Sequence, residues 1–241
     1  MEPLNVWLRR KDIQKYRSMP IGEYFSTYFL RDEYRPIYYN RNLMYAPADG
    51  IILYAIQVEP DKKIVSIKGK NYTIQDILCD KNYNEESIAI GIFMTYLDVH
   101  VNRMPTDGYI HYIRRDSIKI ENLTMTKIEA ALLEGKQYNP DDMEYMLYNE
   151  RQICKIYYPE FNMYYYVVQV ADLEVDVIAN FYPDGEYLVQ GSAFSHVRYG
   201  SQIDLIVPIK DNLQYDILVK DKTMWHVEAG IDPLVHIKEK D

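Results

Sequence analysis

The sequence is poor in cysteine, in long apolar runs and in basic clusters, and each shortage excludes a class of protein. Two cysteines, Cys79 and Cys154, cannot form a disulfide framework, so the sequence predicts a protein of the reducing cytoplasm. No apolar run reaches the roughly 18 residues that a membrane-spanning helix needs. The formal net charge of −9, without a lysine- or arginine-rich block, argues against nucleic acid as a partner.

The sequence does contain enough apolar material for a buried core. Of its 241 residues 48% are hydrophobic and 14% aromatic, including 25 tyrosines, which favour half-buried strands. This composition is typical of a globular protein rather than a disordered one. The length suits one well-buried domain better than two large ones, so we expect a single domain over residues 1–241.

The amino-terminal region predicts helices and a surface of mixed character. Residues 5–19 suit a helix that ends before Pro20, and residues 23–28 suit a second short helix. Between Arg9 and Arg17 basic residues alternate with apolar ones. Such a helix could lie on an anionic membrane surface or could be an ordinary solvated helix.

Most of the remaining chain predicts short strands separated by turn residues. The predicted strands cover residues 51–58, 63–67, 88–97, 108–115, 153–158, 163–170, 175–181 and 187–189. We expect residues 108–115 to pair with the strand over residues 88–97, and residues 175–181 also suit a short helix. Together these elements predict an α+β protein, mostly β, with antiparallel sheets arranged as a barrel or sandwich and a short helical amino terminus.

A possible reactive serine stands between two of the strand-like runs. Gly200 would weaken a strand unless its backbone freedom is needed, and that freedom could expose its carbonyl to the hydroxyl of Ser201. A serine hydroxyl needs a base, and His100, with an ordinary pKa of about 6.5, could accept its proton. Asp49 could orient that histidine. The residue types alone also allow an ordinary turn at Gly200, a structural histidine at position 100 and a turn at Asp49-Gly50.

Seven segments, taken in order, resemble the phosphatidylserine decarboxylase proenzymes, and specifically their short bacterial form. They are Phe29-Leu30-Arg31-Asp32, Pro47-Ala48-Asp49-Gly50, Lys68-Gly69, the loop over residues 98–108, Asn149-Glu150-Arg151, Val168-Gln169-Val170-Ala171 and residues 198–208. The resemblance implies a pyruvoyl-dependent carbon–carbon lyase that converts phosphatidylserine into phosphatidylethanolamine and carbon dioxide.

The resemblance also implies how the chain matures. Asp49, His100 and Ser201 match the self-processing triad of the family, and the cleaved bond is Gly200–Ser201. Processing would give a β chain, residues 1–200, and an α chain, residues 201–241, whose first residue becomes the pyruvoyl group. No external cofactor and no metal are expected.

Two further residues of the loop over residues 98–108 and two departures from the family pattern also bear on the site. Arg103 stands where longer family members have a second histidine, and its charged fork suits a substrate carboxylate or phosphate, or else a surface ion pair. Asp98 opens the same loop and could hold its shape. The chain departs from the family pattern at Asp172 and at Ser195-His196-Val197, which bears on the identity of the substrate.

The expected partners follow from the same resemblance. They are a phospholipid substrate, a peripheral membrane surface on the inner face of the cell membrane, and the β and α chains of one precursor. A homodimer is compatible with these expectations. The alternatives are a pyruvoyl decarboxylase of a soluble amino acid and an unprocessed binding protein; a serine hydrolase is disfavoured because the chain has no Gly-X-Ser-X-Gly motif.

Overall fold

The computed structural model describes residues 1–118, 122–172, 178–197 and 201–240; Gly200 and residues 175–177 of the seventh predicted strand lie outside these ranges. The helices are α1 Leu4–Trp7, α2 Lys11–Ser18, α3 Ile21–Thr27, α4 Ile74–Ile77, α5 Thr126–Leu133 and α6 Tyr145–Tyr148, with 3₁₀ turns at Pro140–Glu144 and Pro159–Phe161. The strands are β1 Glu2–Pro3, β2 Leu43–Tyr45, β3 Gly50–Val58, β4 Val65–Ile67, β5 Lys70–Tyr72, β6 Ser87–Met94, β7 Val101–Arg103, β8 Gly108–Arg115, β9 Arg151–Tyr158, β10 Met163–Val170, β11 Ile178–Asn180, β12 Tyr187–Leu188, β13 Ala193–Val197, β14 Ser201–Pro208, β15 Leu213–Ile217, β16 Trp225–Val227 and β17 Pro233–Glu239.

The amino terminus is helical as predicted, but the expected helix over residues 5–19 is divided into α1 and α2. Both Trp7 and Ile13 are buried in the core. In one continuous helix, residues six apart would point about 120° away from each other. The break at Leu8–Arg10 lets both side chains reach the same core.

The strands form a nine-stranded antiparallel sheet in the order β1-β16-β3-β6-β14-β10-β9-β8-β12. Two small sheets, β11-β13-β7 and β15-β17-β2, and the hairpin β4-β5 complete the β structure. The prediction of a mostly β, antiparallel α+β fold with layers of sheet and a helical amino terminus is confirmed.

One predicted pairing is wrong. β8 pairs with β9 and β12, whereas β6 lies between β3 and β14. Both edges of β6 are therefore occupied by strands that are distant in sequence. Local order along the chain could not indicate this arrangement, since the partner strand β14 begins more than a hundred residues after β6.

The large sheet separates two apolar layers because side chains alternate along each strand. Along β6, Ala89 and Phe93 pack with the core that includes the helices, whereas Ile92 and Met94 pack with the core under the small sheets. Ser201, the first residue of β14, pairs with Met94, the last residue of β6. The strand β13 of the small sheet β11-β13-β7 ends four residues before Ser201, at Val197. Among the helices that the structure describes, none has both the length and the apolar character needed to cross a bilayer.

Candidate active site

Ser201 is the first residue of β14, a strand in the middle of the large sheet. Its side chain is fully buried, and its Oγ donates a hydrogen bond to Met94 Sδ at 3.1 Å. Asn102 Nδ2 donates to the same sulfur at 3.7 Å. A thioether is a weak acceptor, so the serine hydroxyl is held in place without being tied to a strong partner.

His100 lies in the loop between β6 and β7 and is also buried. Its Nδ1 is 3.0 Å from the carbonyl oxygen of Asp98. Because a carbonyl only accepts, Nδ1 carries the proton and Nε2 is left with its electron pair. Nε2 has no hydrogen-bond partner among the described residues. Burial lowers the pKa of His100 to about 4, so the ring is neutral at pH 7 and able to accept a proton there.

Backbone contacts bring β13, the strand that precedes the predicted cleavage bond, next to the loop of His100. The Val197 amide donates to the His100 carbonyl at 3.2 Å, and Ser195 pairs with Asn102 between β13 and β7. Ser201 follows Val197 by four residues, a distance that an extended chain spans in at most about 14 Å. The contact anchors the strand before Ser201 to the loop of His100, and the approach of His100 Nε2 to Ser201 Oγ stays a prediction.

Asp98 fixes the loop that carries His100. Its Oδ2 accepts hydrogen bonds from the Thr95 amide and hydroxyl at 2.7 and 2.8 Å, and its Oδ1 accepts one from His226 Nε2 at 2.7 Å. Burial acts to raise the pKa of Asp98, but the bonds from His226 and Thr95 outweigh it and leave the pKa below its usual value. The ring of His226 in turn stacks on Trp7 at 4.4 Å. The expectation that Asp98 holds the loop in shape agrees with these contacts.

Asp49 lies in the segment before β3 and has other partners than His100. Arg35 forms a bidentate ion pair with its carboxylate, and the Ala229 amide donates to Oδ1 at 2.8 Å. Burial raises the pKa of Asp49, and Arg35 opposes that rise. Since His100 uses Nδ1 for the Asp98 carbonyl, the structure does not place the Asp49 carboxylate on the imidazole. The triad role of Asp49 stays a prediction.

A small cavity opens beside His100. Its volume is about 150 Å³, and it is lined by Leu30, Arg31, Asp32, His100, Val101, Phe181 and His196. The ring of Phe29 packs against His100 with centroids 4.4 Å apart, and Phe181 lies 5.6 Å from His196. One aromatic ring therefore lies against the base, and another lines the cavity beside it.

Arg103 lies within hydrogen-bonding reach of the same region without lining the cavity. Its guanidinium donates to Asp32 Oδ1 at 2.8 Å, to the Glu33 carbonyl at 3.3 Å and to the Gly191 carbonyl at 3.1 Å. Its side chain is largely buried, whereas Asp32 is exposed. Arg103 therefore connects residues 32–33 with Gly191, and its contact with substrate stays a prediction.

Sequence reasoning missed three side chains that shape this site: Arg35, Met94 and His226. Nothing in the local pattern identifies them, because each acts through a contact formed at long range. The Asn149-Glu150-Arg151 segment, in contrast, was noticed without a role. Asn149 joins the Leu123 amide and carbonyl to the Ala171 carbonyl, and Arg151 donates to the Met146 carbonyl, so both residues tie the strand ends together.

Comparisons with known proteins agree with this geometry. A family model described as phosphatidylserine decarboxylase matches residues 23–231. A protein of Methanocaldococcus jannaschii named as an archaetidylserine decarboxylase proenzyme is 30% identical over 189 residues, covering 78% of this chain and 81% of the relative. Phosphatidylserine decarboxylase proenzymes of Geobacter metallireducens and Cupriavidus pinatubonensis are 26% and 28% identical, with 83% and 86% of this chain and 73% and 79% of the relatives covered.

Proposed function

Because the chain belongs to the phosphatidylserine decarboxylase family, we propose that it removes the carboxyl group from a serine-bearing membrane phospholipid. With phosphatidylserine as substrate, the products are phosphatidylethanolamine and carbon dioxide. The enzyme is thus a carboxy-lyase. The observation that carries this proposal is the state of His100, a buried neutral imidazole whose Nδ1 is held and whose Nε2 has its electron pair available.

Self-processing is the first reaction that we assign to the site. His100 Nε2 takes the hydroxyl proton of Ser201, Oγ attacks the Gly200 carbonyl carbon, and the amide becomes an ester as the Ser201 nitrogen is released. Elimination then frees the Gly200 carboxylate and leaves a dehydroalanine. Water converts the dehydroalanine into a pyruvoyl group and ammonia, so no oxidant or reductant is consumed. The products are residues 1–200 and residues 201–241.

The surroundings of Ser201 fit a pyruvoyl group. The position is fully buried, and its side chain makes a hydrogen bond only to the weak acceptor Met94 among those described. We assign His100, whose Nε2 has no partner among the described residues, to the same site. The pyruvoyl group supplies the electron sink for the departing carbon dioxide, and no external cofactor is needed. His100 would then deliver a proton to the substrate carbon that loses its carboxylate.

The lowered pKa of His100 makes this proton delivery depend on the substrate. An imidazole with a pKa of about 4 holds little proton at pH 7. A phosphate or carboxylate bound in the neighbouring cavity would favour the charged ring and raise its pKa. The same residue can therefore act as a base in the empty precursor and as an acid when a substrate is bound.

The cavity suits the head group of the substrate rather than the whole lipid. At about 150 Å³ it lies below the range of roughly 300–1,000 Å³ that is typical of sites for drug-sized ligands. The names of both relatives specify a lipid that carries serine. The rest of the lipid differs, since one name specifies archaetidylserine and the other phosphatidylserine. We therefore assign recognition to the serine end of the molecule.

We further propose that the protein works as one domain over residues 1–241, with its β and α chains packed together, as a peripheral protein on the cytoplasmic face of the membrane. Arg103 is assigned to the substrate side of the loop, where its fixed charge could attract the phosphate. A homodimer is compatible with this arrangement, and size-exclusion chromatography with light scattering measures it.

An intact-mass spectrum of the purified protein tests processing directly. We expect two chains, with the α chain one ammonia lighter than a fragment beginning with serine. The Ser201→Ala control should stay at 28.6 kDa, because no hydroxyl remains to attack. A wild-type chain that stays intact after prolonged incubation at neutral pH would favour the unprocessed binding protein instead.

Release of carbon dioxide from carboxyl-labelled substrates tests the second reaction. We expect release from phosphatidylserine and none from free serine. Release from a free amino acid alone would favour the soluble-substrate alternative. His100→Ala should lack both processing and decarboxylation.

A further inference from the structure

We propose that an apolar rim around the mouth of the cavity docks the enzyme onto a phospholipid bilayer. The rim consists of large apolar or aromatic side chains that are 43–66% exposed, namely Leu30, Ile37, Tyr39, Phe181, Tyr187 and Val189. This inference rests on the proposed function, since it explains how a membrane lipid reaches His100. It names a surface of the chain that the resemblance and the family match do not assign.

The rim is continuous with the cavity. Leu30 and Phe181 line the cavity directly. From there Arg103 bridges Asp32, at the cavity wall, to the carbonyl of Gly191. Leu30 and Phe181 thus lie at the opening, and the Arg103 bridge connects its wall to residues 187–191, where Tyr187 and Val189 are exposed.

The outer part of the rim is held together by contacts between two chain segments. Ile37 packs against Gly191, and the Asn40 amide donates to Gln190 Oε1 at 2.8 Å. Tyr187 pairs with Tyr109, and their rings lie 5.0 Å apart. Single exposed apolar residues are normal on a protein surface, but a contiguous set beside a cavity indicates a binding surface.

A bilayer is the partner that fits this surface, because the cavity cannot take the hydrocarbon of the substrate. Its volume of about 150 Å³ leaves the chains of a two-chain lipid outside. Moving hydrocarbon into water costs about 0.8 kcal/mol per CH₂ group, so the chains stay in the bilayer while the head group enters. The mouth must then lie at the membrane surface. Two of the six rim residues, Tyr39 and Tyr187, are tyrosines, which are favoured at that depth.

The charges near the rim indicate an apolar contact rather than an electrostatic one. The charged side chains beside the rim are paired, Asp32 with Arg103, Glu33 with Arg31 and Arg41 with Glu160, and the whole chain carries a net charge of −9. An anionic surface would therefore not attract this face by charge. We expect binding that is insensitive to salt and that does not need anionic lipid.

The helix α2, which the sequence offered as a membrane contact, has no apolar face left for lipid. Ile13 is buried and Tyr16 packs against the same core. Arg10, just before the helix, is already bonded to Asp12 and Glu228. The basic residues of α2 itself lie on the side of the helix that faces solvent, opposite the side that packs on the core.

Sedimentation of the matured protein with vesicles of pure dioleoyl phosphatidylcholine tests the rim without any substrate. We expect Ile37→Asp and Val189→Asp, which change two separate segments, each to weaken binding about tenfold or more, the effect of removing one partly buried large apolar side chain. Ile37→Trp should strengthen it. Ile118→Asp, at an exposed residue that lines a different cavity, is the matched control and should bind like the wild type.

Turnover separates this inference from the proposed function. Ile37→Asp should lose activity on vesicular phosphatidylserine but keep it on monomeric short-chain phosphatidylserine. A protein that binds vesicles through the rim but decarboxylates neither substrate would overturn the proposed function and leave the docking surface standing. No binding to phosphatidylcholine vesicles, release by salt, or binding as strong as that of the wild type by both aspartate variants would overturn the docking surface.

Discussion

At the scale of single residues, the site depends on a histidine whose two nitrogens have different tasks. Nδ1 is bonded to the Asp98 carbonyl, and Nε2 is unpaired among the described residues. Both features come from the short loop after β6. The His100 ring also contacts Phe29, so its environment is apolar. A buried neutral imidazole of this kind suits proton transfer at a wide range of pH values.

The pH dependence of self-processing should report the lowered pKa of His100. The base is active when neutral, and burial lowers its pKa to about 4. We therefore expect the processing rate of freshly synthesised chain to be constant from neutral pH down to about 5 and to fall as the pH approaches 4. Gel analysis of a pulse-labelled cell-free product measures the rate, with tryptophan fluorescence as the control for folding. A midpoint near 6.5 would mean that the ring is solvated in the precursor.

Asp49 and Arg35 should act as one unit. Replacing either member of a buried ion pair leaves the other unpaired, which costs about 3–5 kcal/mol of folding free energy. We expect Asp49→Asn and Arg35→Met each to destabilise the chain, and the double variant to lose much less than the sum. Urea unfolding in the Ser201→Ala background measures this coupling on an uncleaved chain.

The same variants test the triad role of Asp49. Asp49→Asn should slow self-cleavage by orders of magnitude, as loss of a triad carboxylate does in serine proteases. Turnover per pyruvoyl group, counted with a carbonyl reagent, should persist in the fraction that matures. Arg35→Met should resemble Asp49→Asn, because burial without Arg35 leaves the carboxyl neutral. Normal processing in Asp49→Asn would remove Asp49 from the triad and direct attention to Asp98.

At the scale of elements, β6 depends on close contact with a neighbouring strand. A Cβ atom at Gly91 would lie 2.5 Å from the ring of Tyr54 on β3. The hydroxyl of Tyr54 donates a hydrogen bond to Asp204 Oδ1 at 2.6 Å. The ring therefore covers the glycine and is itself held in place by a hydrogen bond. The loop that carries His100 begins a few residues after Gly91, where this strand ends.

Gly91→Ala should consequently destabilise the protein by about 1–3 kcal/mol or more, since overpacking forces the ring or the backbone to move. Gly22→Ala is the control: it lies in α3 with no atom within 4 Å of the new methyl group. That change should stabilise the chain by about 0.5–1 kcal/mol, because alanine favours a helix. Urea unfolding compares the two, and equal effects would contradict the role of Tyr54.

The strands could be predicted from the sequence, but their partners could not. Met163–Val170 was predicted to the residue, and α4 begins at a capping box formed by Thr73 and Asp76, which are three residues apart. These features depend on alternation and local hydrogen bonds. The pairing of β8 with β9 depends on contacts across the whole chain, which periodicity does not encode. The sequence identified Asp49 through its motif. It could not identify Arg35, because the ion pair between Arg35 and Asp49 joins two separate segments of the chain.

At the scale of the whole molecule, the predicted cleavage point lies at the start of a central strand. β14 pairs with β6 on one side and β10 on the other. Farther along, β16 pairs with β3, and β17 pairs with β2. The segment proposed to become the α chain therefore contributes strands to both the large sheet and a small one. Cleavage at Gly200–Ser201 would remove one covalent link but none of these pairings.

Maturation should therefore turn unfolding from a reaction of one chain into a reaction that yields two separate chains. Under native conditions the two chains should stay together. In the matured protein the two unfolded chains diffuse apart, so its stability depends on concentration, whereas the uncleaved Ser201→Ala chain unfolds alone. We expect the β and α chains to co-elute on size exclusion without denaturant. The urea midpoint of the matured protein should rise with protein concentration, by the equivalent of about 2.8 kcal/mol for each hundredfold. The midpoint of Ser201→Ala should stay constant. If α chain were lost from the matured protein in buffer, strand pairing across the cut would be too weak to hold it, and the proposed single domain of 1–241 would have to be abandoned.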